Sequence, residues 1–336
     1  MNAGRPGLAV DPAATGDGAW WGTDRVCVRF GGRLALDHVS FRAEPGRVSA
    51  VVGGDGAGRT TLLRCLAGAL AASSGRVRRP GRPRIGYLCA GSGIYPDLTV
   101  TENLDFRAAA YRLSAAAARA RSGEFLERAG LAAARDRLVG RLSGGMRQKL
   151  GVIAAMLHAP DLLVLDEPTT GVDPVSRAGL WWLIARAAAD GAAVVLATSY
   201  LDEAERAFDV LVLDAGRQLA FGTPAQIIGA MPGALRVSDE RPAGAARRRA
   251  WRREGRWRTW DPAGRDGDVA PDLQDAVTVA ILARELASAP AGSAPTGSAP
   301  AGSARAGSAS PGSKPAGSAP NGDGPAGDAP GNGGAR

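Results

Sequence analysis

Nine residues, Gly53-Gly54-Asp55-Gly56-Ala57-Gly58-Arg59-Thr60-Thr61, constrain this chain more than any other stretch. Four glycines within six positions specify a backbone path that a Cβ would obstruct. The apolar run Val48-Ser49-Ala50-Val51-Val52 precedes them, and Thr61-Leu62-Leu63-Arg64-Cys65-Leu66 follows with leucines at helical spacing. Strand, glycine-rich loop and helix in that order turn backbone N–H groups inward and aim a helix N-terminus at the same point, which is the physical requirement for holding a phosphate. The spacing is that of G-x-x-x-x-G-K-[ST], with Arg59 where lysine should stand.

At 336 residues the chain exceeds one average domain, and one large domain with appendages is expected. Its apolar content of 45% is ample for a core. The formal charge is +8, but of 41 basic residues only Lys149 and Lys314 are lysines. Such a skew, beside 47 glycines and 22 prolines, suggests GC-rich codons, so the basicity is read as partly compositional and no nucleic-acid partner is expected. Cys27, Cys65 and Cys89 lack metal-like spacing and sit in or beside apolar patterns, as buried thiols of a reducing compartment would. His38 and His158 are isolated and read as structural. No apolar run approaches the roughly 20 residues of a membrane helix, and the N-terminus lacks a signal-peptide core. The expectation is a soluble, cytoplasmic chain that meets a membrane through a partner.

Residues 1–23 read as a mobile leader. Arg25 to Phe30 and Leu34 to Phe41 alternate as the strands of a hairpin turned by Gly31-Gly32. From Thr99 to about His158 the pattern is helical: Thr101-Glu102-Asn103-Leu104 can cap one helix, Ser114 to Ala129 make another, and Arg147 to Leu157 a third. Asp161 to Asp166 is a near-continuous apolar strand, implying cover on both faces, and a helix from about Pro174 leads to the strand Ala192 to Ala197. This alternation predicts a parallel α/β sheet. Residues 225–287 form a small accessory domain whose last helix carries Leu273, Val277, Ala280 and Ile281 on one face. Its basic middle, Arg247 to Arg258 with Trp251, Trp257 and Trp260, reads as a small β-layer with solvated arginines; contact with nucleic acid or anionic lipid is the alternative. The Pro/Ala/Gly/Ser repeats of 288–336 cannot bury enough surface to offset ordering entropy and read as disordered.

Two acids, Asp166 and Glu167, end the apolar strand. An aspartate there can hold Mg²⁺ together with Thr60, while the next carboxylate orients a water; the alternative is an acidic strand end in solvent. With these residues in place, about residues 24–224 resemble the ATP-binding cassette (ABC) family, most diagnostically at Leu142-Ser143-Gly144-Gly145-Met146, which is similar to its signature motif. The resemblance implies a P-loop NTPase of ABC type: a mixed β-sheet core, a helical insert at about 90–157 and a small C-terminal appendage. It further implies ATP with Mg²⁺ on Gly53 to Thr61 and Asp166, Glu167 as the catalytic residue, and the signature serving the ATP of a second cassette. Asp173 would lie in a dimer-interface loop. Phe30 falls where an aromatic stacks on adenine, although alone it reads equally as core. Gly144 to Gly151 and Pro168 to Arg177 are similar to multidrug-exporter cassettes whose membrane subunit is a separate polypeptide, which would place the chain on the inner face of the cell membrane, with Tyr95, Leu98 and Val100 on the docking surface.

Three positions depart from the family: Arg59 replaces the lysine that bridges β- and γ-phosphates, Ala90 a glutamine that senses Mg²⁺, and Ser199 a histidine that contacts the γ-phosphate. Arginine is longer, planar and forked, so the first change is not conservative. Losing one transition-state contact costs roughly 2.7–4 kcal/mol. The expectation is an exporter ATP-binding subunit with a weak or slow site, one half of an unequal cassette pair. The alternatives are a non-hydrolysing regulatory subunit and a soluble cassette factor acting on ribosomes or nucleic acid.

Overall fold

The computed structural model describes residues 20–91 and 93–288. The expected tail therefore lies outside the described residues, save Ser288, and so does most of the expected leader.

The chain runs through β1 (Trp21–Phe30), β2 (Arg33–Ala43), β3 (Val48–Val52), α1 (Arg59–Leu66), β4 (Ser74–Arg78) and β5 (Ile85–Leu88). Next come α2 (Val100–Ala110), α3 (Ala115–Arg128), α4 (Gly144–Met156), β6 (Leu162–Asp166), α5 (Pro174–Ala189) and β7 (Ala193–Ala197). They are followed by α6 (Leu201–Ala204), β8 (Asp209–Asp214), β9 (Arg217–Gly222) and α7 (Pro224–Gly229). Last are β10 (Ala234–Ser238), β11 (Ala250–Arg253), β12 (Arg256–Asp261) and α8 (Leu273–Ser288). The central sheet is ordered β5-β6-β7-β3-β8-β9, parallel except for the antiparallel edge β9. A second, antiparallel sheet is ordered β2-β1-β4 and a third β10-β12-β11.

The apolar run of β6 is explained by its two partners. Leu162 and Val164 face a core shared with α1 and the β1–β2 hairpin, whereas Leu163 and Leu165 face the helices α2 to α5. All four are fully buried, worth roughly 1.5–3 kcal/mol apiece. β3 divides in the same way, Val51 to the hairpin side and Ala50 and Val52 to α7 and α8. The strand that carries the glycine loop is thus clamped on both faces.

Some expectations shift. Trp21 to Thr23, assigned to the leader, already belong to β1: Trp21 and Thr23 are buried, and a Cβ at Gly22 would lie 1.9 Å from the Phe41 carbonyl oxygen, so glycine is what lets the strands close there. The cap of α2 is Thr99 rather than Thr101; Thr99 and Glu102 form a reciprocal capping box. Val100 is fully buried and contributes to no surface, while Tyr95 is exposed and packs edge-on against Phe106. Helix α8 has two apolar contacts, not one: Leu273, Ala276 and Val277 seal the central sheet, and Val279 packs with Leu235 and Trp260 of the third sheet. Two arginines of the basic segment turn inward as well. Arg253 Nη1 lies 3.4 Å from Asp275 Oδ1, Arg258 pairs with the same carboxylate, and Asp275 is fully buried.

Candidate functional site

The loop after β3 is built by two close approaches. A Cβ at Gly53 would come 2.3 Å from the Leu213 carbonyl oxygen, and one at Gly58 2.7 Å from that of Ala35; Gly58 also has φ of 102°. Ala57 between them is buried. Gly54, Asp55 and Gly56 instead face outward, and nothing lies within 4 Å of a Cβ built on Gly54. Helix α1 then opens at Arg59 with no side-chain cap and no acid in its first turn, so its leading N–H groups and positive dipole end stay available to an anion; Thr60 and Thr61 belong to that turn.

Asp166, at the end of β6, is 1% exposed, and its Oδ2 has no hydrogen-bond partner. Burial raises its pKa above the ordinary aspartate value, opposed by a hydrogen bond with Thr60 and by Arg59 and Arg64. A buried carboxylate with one orphaned oxygen beside a threonine hydroxyl is a hard, oxygen-only set that suits Mg²⁺. The expected metal ligands, Thr60 and Asp166, therefore meet.

Glu167 follows with φ of 51°, a strained value for a residue other than glycine, held by its N–H donating to the Ala197 carbonyl at 3.0 Å. Both oxygens of its carboxylate have partners. Arg59 Nη1 sits 2.9 Å from Oε1, Ser199 Oγ donates to Oε1 at 2.7 Å, and Thr170 Oγ1 donates to Oε2 at 2.6 Å. Arg59 Nη1 also donates to Ser199 Oγ at 2.9 Å. Two of the three departures thus converge on the expected catalytic residue, whereas Ala90 is exposed after β5 and takes no part.

Of the stacking candidates, Phe30 is 50% exposed at the hairpin tip, which removes the core reading and leaves its ring free for a ligand. It pairs in register with Arg33, whose Nη2 lies 3.9 Å from a Cβ built on Gly56, so the tip reaches the outer rim of the loop. In the signature stretch Leu142 is buried, Ser143 caps α4 by accepting from the Met146 N–H at 3.2 Å, and Gly144 is exposed. Gly145 is buried: a Cβ there would meet Val172 and Ser176 at 3.5 Å, so the start of α4 lies against the Gly171–Asp173 loop. Asp173 is exposed and caps α5 by accepting from the Ser176 N–H at 2.9 Å.

Sequence reasoning missed the supports. Glu203, 1% exposed, accepts from Thr198 Oγ1 at 2.7 Å and Thr169 Oγ1 at 2.9 Å, tying the loop after β6 to the loop after β7. Gln148 Nε2 of α4 donates to the Glu167 carbonyl at 3.1 Å. The pair Thr169-Thr170 beside two acids was the only local sign of either. A bulge in the hairpin also gathers Cys27, Asp37 and His38 within 4.8 Å, but His38 Nδ1 and Arg217 Nη2 already occupy the two Asp37 oxygens, at 2.7 and 2.8 Å.

The family profile described as ABC transporter matches residues 36–170. The probable multidrug ABC transporter ATP-binding protein YbhF of Escherichia coli (strain K12) is 41% identical over 217 residues, which cover 61% of this chain and only 38% of that relative. The daunorubicin resistance ATP-binding protein DrrA3 of Streptomyces coeruleorubidus is 39% identical over 225 residues, covering 64% of this chain and 69% of that relative. The Nod factor export ATP-binding protein I of Paraburkholderia xenovorans (strain LB400) is 37% identical, covering 61% of this chain and 71% of that relative. Among solved structures, an ATP-binding subunit of an ABC transporter superposes with a TM-score of 0.59 at 28% identity, over 62% of this chain and 91% of that one. A nucleotide-free ATP-binding cassette does so with a TM-score of 0.53 at 23% identity, over 61% of this chain and 91% of that one, and supports the fold alone. With the glycine loop, the paired acids and the signature helix in these positions, the chain belongs to the ABC transporter family of ATP-binding proteins.

Proposed function

We propose that this protein is the nucleotide-binding engine of an exporter whose membrane subunit is a separate polypeptide, and that it pairs with a second, better-equipped cassette. ATP sits on Gly53 to Thr61 with its base against Phe30; Thr60 and Asp166 would hold Mg²⁺, which would supply charge neutralisation for the phosphates. Ser143 and Gly144 open their helix end toward the partner's nucleotide, and Asp173 lies in the loop between the cassettes. Glu167 orients the attacking water once its carboxylate is released from Arg59. No described helix is long and apolar enough to cross a membrane, which fits a chain held at the inner face of the cell membrane by its partner.

The observation that carries this reading is the pairing of two complementary halves in one chain. One is an open phosphate loop backed by a buried, half-satisfied Asp166; the other is an exposed, serine-capped helix start. Titration of the full chain with a fluorescent ATP analogue tests it. Saturable binding is expected, weakened about tenfold or more by Asp166→Asn when Mg²⁺ is present and little when it is chelated. Absence of saturable binding refutes it. For the exporter role, the tagged chain should co-purify from its native membranes with one polytopic membrane protein; recovery in the soluble fraction alone counts against it.

The non-hydrolysing regulatory reading stays in play on one specific ground: both Glu167 oxygens are already taken by donors.

A further inference from the structure

Arg59 and Ser199 are separated by 140 positions, yet they touch each other and the same Glu167 oxygen. The two side chains meet on one carboxylate oxygen, Oε1. The guanidinium is long enough to reach from the loop to Glu167, where it lies only 11% exposed, while its Nη2 keeps a looser 3.9 Å pairing with the exposed Asp55. The short serine leaves room for it and bridges the pair, accepting from Arg59 and donating to Glu167. Thr170 holds the opposite carboxylate oxygen. A carboxylate has about four lone-pair sites, and three of these are filled, so little is left to orient a water.

We propose that these residues form a clasp in which Arg59 serves two anions alternately: the Glu167 carboxylate when the site is empty, and the terminal phosphates when a nucleoside triphosphate enters. This deepens the nucleotide-binding reading above and rests on it. A phosphate chain bears more charge than a carboxylate and offers several oxygens to the guanidinium fork, so it wins the exchange. Glu167 is thereby withheld until a triphosphate is seated, with Ser199 and Thr170 as positioning residues that retain its carboxylate after Arg59 leaves. Competition of this kind has a thermodynamic signature: breaking the clasp must tighten nucleotide binding, and only while Arg59 is present.

A double-mutant cycle on the full chain reads this out, using the non-hydrolysable probe adenylyl-imidodiphosphate without Mg²⁺, so that neither turnover nor the metal contributes. Glu167→Gln is expected to tighten binding about tenfold in the native background and less than about twofold in Arg59→Ala. Ser199→Ala, which removes only the bridge, should tighten it about two- to fourfold. Unchanged or weaker binding by Glu167→Gln overturns the clasp. So does equal tightening in the Arg59→Ala background, which would reveal simple repulsion between carboxylate and phosphate. Those results leave the cassette reading standing, whereas no saturable binding by the native chain or any variant overturns both.

Discussion

Replacing Glu203 by alanine should destabilise the cassette more than any exposed substitution in the site. Glu203 is 1% exposed, and its Oε2 accepts from Thr198 and Thr169 at 2.7 and 2.9 Å. Both hydroxyl-bearing residues are themselves fully buried. Hydrogen bonds to a charged group contribute about 1.5–3 kcal/mol each, so two give roughly 3–6. Relief from burying the carboxylate offsets part of that loss, leaving about 3–5 kcal/mol. For a body of this size each kcal/mol moves the melting midpoint by about 2–4 °C, so a drop of about 6–20 °C is expected. Glu203→Gln keeps one acceptor and should lose about 1–2 kcal/mol. Thermal melts of the full chain followed by tryptophan fluorescence provide the assay. An alanine variant that melts within 2 °C of the native chain would refute the role given to this network, since about 1 kcal/mol is all that shift allows.

Stability should also fall in acid because of His158. Its ring stacks on Tyr111, and burial, assisted by Arg107 and Arg121, lowers its pKa from 6.5 to about 4. A depressed folded-state pKa means the neutral ring is favoured by folding, so this stabilisation is complete above about pH 6.5 and is lost as pH falls toward about 4. Denaturant midpoints across that window should decline in the native chain and decline less in His158→Phe; parallel profiles would contradict the assignment. In the accessory layer, Asp275→Ala strands Arg258, whereas Arg253 keeps its closer pairing with Asp272, and should cost about 3 kcal/mol, read by urea denaturation; a loss below about 1 kcal/mol would mean Arg258 finds another partner.

What could be read from the residues was whatever local sequence dictates. The glycine loop, the two-faced β6 run, the hairpin about Gly31-Gly32 and the helix from about Pro174 depend on neighbours within a few positions, where spacing rules apply. The rest depended on the approach of distant segments. Gly22 is required by a Phe41 carbonyl across the hairpin, Glu203 finds Thr169 from 34 positions away, and α8 seals two layers at once. The three departures illustrate the difference well. Their identity was evident in the sequence, but only folding distinguishes Arg59 and Ser199, which act on one carboxylate, from Ala90, which does not.

Single-turnover hydrolysis of Mg-ATP by the purified full chain, beside its Glu167→Gln variant, tests the central claim most directly. An unequal site, with Arg59 and Ser199 in place of the lysine and histidine, predicts turnover slower by at least about a hundredfold than a typical ATPase step, and a further loss in the variant, because the seated triphosphate frees Glu167 to orient the water. Brisk turnover by this chain alone, abolished by Glu167→Gln, would contradict it.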